Sequence, residues 1–166
     1  DRSSYYLADK MSIWVCKDEQ EMKDLFERQL KTLKTDYIDF YLVHSLNRNH
    51  YQKVKEFHCV EFLQEMKRQG KIKHLGFSFH DTYPVFTQIL NDYDWDFVQI
   101  QLNYLDWQNQ GAEQLYRELE KRNLPCMVME PVRGGYLATL DEQRAKPFLE
   151  MEPNRSIASW AIRWVE

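Results

Sequence analysis

Residues 36–47 read DYIDFYLVHSLN, and this stretch decides the fold. From Tyr37 to Val43 it is almost continuously apolar, aromatic or β-branched, which is how a strand covered on both faces of a parallel sheet reads. His44 stands at its carboxyl end. Parallel α/β folds carry their chemistry at the carboxyl ends of strands, so a titratable ring there is a catalytic candidate. The alternative is a loop histidine satisfied by backbone partners.

Outward from this strand, strand-like and helix-like segments alternate. Strands are expected at 4–9 (SYYLAD), 37–43, 72–77 (IKHLGF), 96–101 (DFVQIQ) and 125–130 (PCMVME). Helices are expected at 19–33, 57–69, 82–91, 110–122 and from near Ser156. Asp18 and Glu21 are spaced as a capping box before Met22, Leu25, Phe26, Leu30 and Leu33 on one helical face. Pro84 suits a first helical turn, and Gly70 suits a helix stop. Residues 45–56 are expected to form a loop.

Five strand–helix units in succession imply a parallel sheet with right-handed crossovers. An eight-unit barrel spends roughly 31 residues per unit, so five units need about 155, close to the length observed. A complete doubly wound domain of five strands fits the length as well. Periodicity leaves both open. The whole chain, 1–166, reads as a single domain.

Composition narrows the function classes. The chain has 166 residues, 43% hydrophobic, with 22 basic and 26 acidic residues and a net charge of −4. No basic run is long enough to track a phosphate backbone, which argues against nucleic acid as a partner. No apolar run approaches the roughly 18 residues of a membrane span. Cys16, Cys59 and Cys126 lack metal-site spacing and their odd number fits a reducing cytoplasm. The chain opens at Asp1 and stops inside an apparent helix, so neither end reads as a natural terminus.

Five stretches carry a more specific signal. YYLADK at 5–10, LKTLKTDYIDFYLVHSLN at 30–47, GKIKHLGFSFHD at 70–81, FVQIQLNY at 97–104 and VMEPVRGG at 128–135 stand in this order. In these motifs the chain resembles the aldo-keto reductases, and most closely the branch that often carries a ferredoxin-like iron–sulfur domain beyond the barrel.

The resemblance implies an α/β fold, a partial (β/α)8 TIM-type barrel of about five β-α units with parallel strands. These would be strands three to seven, without the strand-two segment that carries the family's catalytic tyrosine and aspartate. It implies an NAD(P)H-dependent reduction of aldehydes or ketones by hydride transfer, with NADPH as the usual cofactor and NADH possible. The partners implied are a small-molecule carbonyl substrate, and either the remaining barrel segments or a second copy at the open sheet edges. A non-catalytic barrel serving as a cofactor-binding or regulatory subunit is the rival reading. A segment without that tyrosine is expected to be inactive alone.

The same resemblance assigns site residues. Lys10 falls at the catalytic lysine, whose charge favours a tyrosine phenolate and lowers its pKa. His44 falls at the histidine that orients the substrate carbonyl. Ser78 and Gln101 fall where side chains hold the nicotinamide carboxamide, a task suited to groups that both donate and accept. Phe79 replaces the commoner asparagine, so one carboxamide contact is either lost or supplied by His80. Met129 falls where many relatives stack an aromatic ring on the nicotinamide. Glu130, Pro131, Val132, Arg133 and Gly134 form the loop that runs along the pyrophosphate, with Arg133 available to a phosphate. No metal site is expected.

Two packing expectations follow. If His44 points into the barrel, alternation places Leu42, Phe40 and Ile38 inside. Tyr37, Asp39 and Tyr41 then face the helices, where Asp39 must find donors. Tyr104, Trp107 and Trp95 are expected to pack the strand–helix layer.

Overall fold

The computed structural model describes all 166 residues. Five strands, β1 (Ala8–Met11), β2 (Ile38–Leu46), β3 (Ile72–Phe79), β4 (Phe97–Gln101) and β5 (Cys126–Met129), are all parallel and lie in sequence order. This order separates the two architectures. A doubly wound sheet reverses its strand order, which places helices on both faces. Here every right-handed crossover steps the same way, so the helices that connect the strands fall on one face.

The packing agrees. Met11, Val43, Phe77 and Val98 pair in one row across the sheet. They join a single buried cluster with Met22 and Phe26 of α1 (Glu19–Leu33), Val60 and Leu63 of α3 (Cys59–Arg68), and Phe86 and Ile89 of α4 (Tyr83–Asp92). The opposite face carries the row Lys10, Leu42, Gly76 and Phe97. Leu42 and Phe97 are buried there, outside the helix-side cluster.

One contact fixes the curvature. Lys10 Nζ donates to Gln99 Oε1 at 2.8 Å, from the first strand to the fourth. In a flat sheet these strands are about 14 Å apart, three spacings of about 4.8 Å. The sheet must curl toward this face for the side chains to meet. It is an open arc of barrel, with β1 and β5 as its edges.

Several boundaries differ from expectation. The first strand is shifted from the expected 4–9: it starts at Ala8 and runs to Met11. Arg2–Ser4 make a 3-10 turn because the Arg2 guanidinium is held by Asp39, Thr35 Oγ1 and the carbonyls of Tyr5 and Tyr37. Tyr6 is left 84% exposed. The expected loop at 45–56 is instead α2 (Arg48–Glu56), capped by Asn47 Oδ1, which accepts from the amides of Asn49 and His50. The following helix starts at Cys59 after a left-handed His58, two residues later than expected.

Two helices, α5 (Tyr104–Asn109) and α7 (Glu142–Met151), have no counterpart in the expectation, and α6 (Ala112–Lys121) starts later than 110. The last helix, α8 (Ile157–Val165), follows Ser156 as expected. No helix is long and apolar enough to cross a membrane.

Alternation along β2 breaks near Asp39. The amides of Asp39 and Phe40 both donate to the Leu7 carbonyl, two residues against one as in a bulge. Ile38 therefore joins the helix-side cluster and not the interior. Tyr41 does face the helices, donating to Gln29 and meeting Phe26 edge-on. Asp39 finds its donors elsewhere, in Arg2 and the Leu7 amide before β1. The Asp18 cap of α1 forms, but Glu21 returns to the Lys17 amide and not to that of Asp18.

Candidate active site

The concave face ends, at the carboxyl ends of the strands, in a polar rim. Ser78 pairs with Gln99, Gln99 with Met127, and Gln101 with Met129, all on the face that carries Lys10. Of the residues expected at the site, Lys10, Ser78, Gln101 and Met129 thus share one face by register.

His44 reaches the rim through a defect in the strand. Val43 pairs with Phe77 but Leu46 with Phe79, so β2 spends one extra residue there. Ser45 takes a left-handed φ of 53°, and its amide donates to Ser78 Oγ at 2.7 Å. Bulges re-aim side chains beside functional sites, and this one sets the direction of His44.

The imidazole is held by side chains, not by backbone. Its Nδ1 lies 2.9 Å from Ser12 Oγ, and the Trp14 ring leans on it with centroids 4.8 Å apart. The other face of this corner is His50, stacked on Trp14 at 4.9 Å and bonded through Nδ1 to the Ser45 carbonyl. His50, not His44, is the backbone-satisfied histidine. Burial, and then the Lys10 charge with His80 and His50, holds the His44 pKa below its ordinary value. His80 is lowered by burial and Lys10.

Gln101 is oriented by a buried carboxylate. Asp106 of α5 is fully buried, and its Oδ2 accepts from Gln101 Nε2 and from Asn103 Nδ2, both at 2.7 Å. A carboxylate only accepts, so the amide nitrogen must face Asp106 and Oε1 must face away. Ser78, itself buried, accepts the Ser45 amide and keeps its own proton. One donor and one acceptor therefore stand on adjacent strands. That set complements a primary carboxamide, so the residues present fit a nicotinamide.

Met129 is half-buried at the end of β5. The loop beyond it is strained: Glu130, Arg133, Gly134 and Gly135 all have positive φ, and for the two non-glycine residues this costs of order 1 kcal/mol each. Asn103 Nδ2 ties the loop to β4 by donating to the Glu130 carbonyl. Arg133 is engaged differently from the expectation. Its Nε lies 3.2 Å from Asp106 Oδ1, an ionic contact without hydrogen-bond alignment. Only its two Nη atoms remain for a phosphate.

Phe79, the departure noted in sequence, is buried against Phe77 and Phe86 and does not face the rim. His80 does, lining a pocket of about 270 Å³ with Gln101. Trp95 packs on Phe77 as expected. Trp107 lies between Tyr116 and Trp164, and Tyr104 lines an apolar groove with Phe148 and Trp160 rather than the strand–helix layer.

A curled parallel sheet with this rim invites comparison with known proteins. The Aldo/keto reductase family model matches residues 1–165. The chain belongs to the aldo/keto reductase family. Solved structures agree on the fold. An aldo/keto reductase from Brucella melitensis superposes with a TM-score of 0.73 at 20% identity, covering 99% of this chain and 59% of that one. The holo form of an aldo-keto reductase from Bacillus halodurans gives 0.75 at 21%, covering 98% and 59%. One from Klebsiella pneumoniae in complex with NADPH gives 0.72 at 23%, covering 99% and 56%. The chain thus spans under three-fifths of the length of these aldo-keto reductases. No protein of curated function matches it.

Within this aldo/keto reductase, sequence reasoning missed Ser12, Trp14, Asn103 and Asp106. Asn103 was detectable as an Asx cap before a helix. The other three act through contacts that only the fold creates.

Proposed function

We propose that the chain carries the cofactor and carbonyl site of an NAD(P)H-dependent reductase of aldehydes or ketones. The observation that carries this reading is the shared concave face of Lys10, Ser78, Gln101 and Met129, with His44 turned onto its rim by the bulge. A bound nicotinamide would supply the hydride. Ser78 Oγ–H and Gln101 Oε1 hold the carboxamide from its two sides, which selects the ring face turned to the substrate. Met129 covers the ring with a polarizable thioether. The loop Glu130–Pro131–Val132–Arg133–Gly134 presents backbone and the Arg133 Nη atoms to the phosphates. His44 is neutral near pH 7, so it positions the carbonyl oxygen by hydrogen bonding, not by charge. Lys10 adds the positive charge that favours negative charge growing on that oxygen.

A specific observation supports the second reading, cofactor binding without turnover. The bond of Lys10 Nζ goes to Gln99, not to a phenol. The tyrosines that shift, Tyr41, Tyr51, Tyr83, Tyr93 and Tyr104, all shift upward, chiefly by burial or by a carboxylate partner. None is prepared as a proton donor, so turnover would need its proton from a group outside these residues, and without one only binding is left. The free thiols Cys16, Cys59 and Cys126 suit a cytoplasmic setting.

The test is NADPH consumption with a reactive aldehyde by the complete barrel that carries this segment, beside equilibrium NADPH binding. Turnover abolished by His44→Ala, with NADPH affinity kept, supports the reductase. Binding without turnover supports the second reading. No binding of either nucleotide overturns both.

A further inference from the structure

The contact between Ser12 and His44 has a chemical direction. Ser12 precedes a 3-10 turn at Ile13–Val15, and its carbonyl accepts the Val15 amide at 3.1 Å. Serine is among the preferred residues at such a position because its hydroxyl can accept a free amide. Here the hydroxyl makes no cap bond. It turns instead to His44 Nδ1 at 2.9 Å, and the Trp14 ring beside the imidazole opposes a ring flip that would put a carbon at that place.

We propose that Ser12 is a positioning residue that fixes the tautomer of His44, so that Nε2–H is the donor presented to a carbonyl oxygen. The proposal rests on the reductase reading above. A neutral imidazole carries one proton. With the proton on Nε2, Ser12 O–H donates to the Nδ1 lone pair and both groups are satisfied. With the proton on Nδ1, that nitrogen donates to Oγ and the serine proton has no protein acceptor. The ring would then offer a lone pair at Nε2, which repels a carbonyl oxygen.

His50, five residues beyond Ser45, shows the opposite arrangement. Its Nδ1 lies 2.7 Å from the Ser45 carbonyl, which only accepts, and 3.2 Å from Asn47 Nδ2, which only donates; the shorter contact favours the proton on Nδ1. Two histidines at one corner are thus set to opposite tautomers by partners of opposite character. Burial and the Lys10 charge keep His44 neutral, the state in which the choice of tautomer matters.

The experiment is long-range proton–nitrogen correlation spectroscopy of the histidine rings in the isotope-labelled chain, with His44 assigned by its loss in His44→Gln. Wild type should show the Nε2–H form at His44 and the Nδ1–H form at His50. Ser12→Ala should turn His44 into a mixture, and Ser12→Thr should restore one form. Orienting partners of metal-bound histidines are worth about 10–100-fold, and turnover of the complete barrel should fall by a similar factor in Ser12→Ala with NADPH affinity unchanged, and recover in Ser12→Thr. A wild-type Nδ1–H form at His44, or a tautomer indifferent to Ser12→Ala, overturns the proposal. So does a tautomer that shifts while turnover does not. A complete wild-type barrel that reduces no carbonyl removes the reductase reading and the catalytic use of the bond with it, while the spectra still decide the bond itself.

Discussion

Gln101 Nε2 donates to Asp106 Oδ2 at 2.7 Å, so a fully buried carboxylate decides which end of the Gln101 amide faces the rim. The same carboxylate takes Asn103 Nδ2 and lies against Arg133. Removing it leaves the half-buried Gln101 amide without its acceptor, Asn103 with the Glu130 carbonyl alone, and Arg133 without its counterion. Asp106→Ala should destabilise the fold by about 1.5–3 kcal/mol, the range for hydrogen bonds to charged groups. Asp106→Asn keeps one acceptor oxygen for Gln101 and should cost less, while freeing Arg133. Urea unfolding of both variants checks the order, and equal costs would contradict this account of the network.

Gly76 and Phe97 face each other in the row below the rim. A Cβ on Gly76 would stand 2.5 Å from the Phe97 carbonyl oxygen and 2.8 Å from its ring. Backbone is one of the two obstacles, so repacking alone cannot relieve the strain. Gly76→Ala should cost about 1–3 kcal/mol by overpacking, read as a lower thermal midpoint. A variant as stable as wild type would show that the sheet curls less than described.

The histidines give stability a pH dependence of definite sign. His44 and His80 both have folded pKa values below the ordinary 6.5, chiefly through burial. As pH falls through 6.5 the unfolded chain takes up protons first, so unfolding becomes easier. Their contribution is fully present above that value and is lost below it. Unfolding midpoints measured between about pH 5 and 8 should fall toward acid, and the double variant His44→Gln, His80→Gln should flatten this part of the profile. An unchanged profile would contradict the assignment.

Much of the frame is legible in sequence because burial on both faces writes long apolar strands, as in β2 and β3, and period two then puts Lys10, Ser78, Gln101 and Met129 on one face. What escapes has physical causes. The helices α2, α5 and α7 are short and largely polar, and only their Asx caps, Asn47, Asn103 and Asp141, mark their starts. Tyr5 and Tyr6 have strand propensity, but the Arg2 anchorage to Asp39 overrides it. The bulge at His44–Ser45 requires a left-handed serine, which no local residue type announces. Ser12, Trp14 and Asp106 gain their roles from partners distant in sequence or from a turn of the chain.

The edges of the arc make an independent prediction. β1 and β5 each leave one side of the ladder unpaired. Exposed edges recruit other chains, so the 166-residue protein should associate as its concentration rises. Light scattering over a dilution series checks this. A monodisperse monomer throughout would show that the edges are protected.

The central claim is that the rim of the concave face holds a reduced nicotinamide. It is tested most directly by titrating NADPH into the labelled chain while following backbone and side-chain amide signals. The account predicts saturable shifts at the Gln101 side chain, at Ser45 and Ser78, and from Met129 to Gly135, with the α1, α3 and α4 signals unmoved. Shifts confined to the helical face, or none at all at saturating nucleotide, would contradict it.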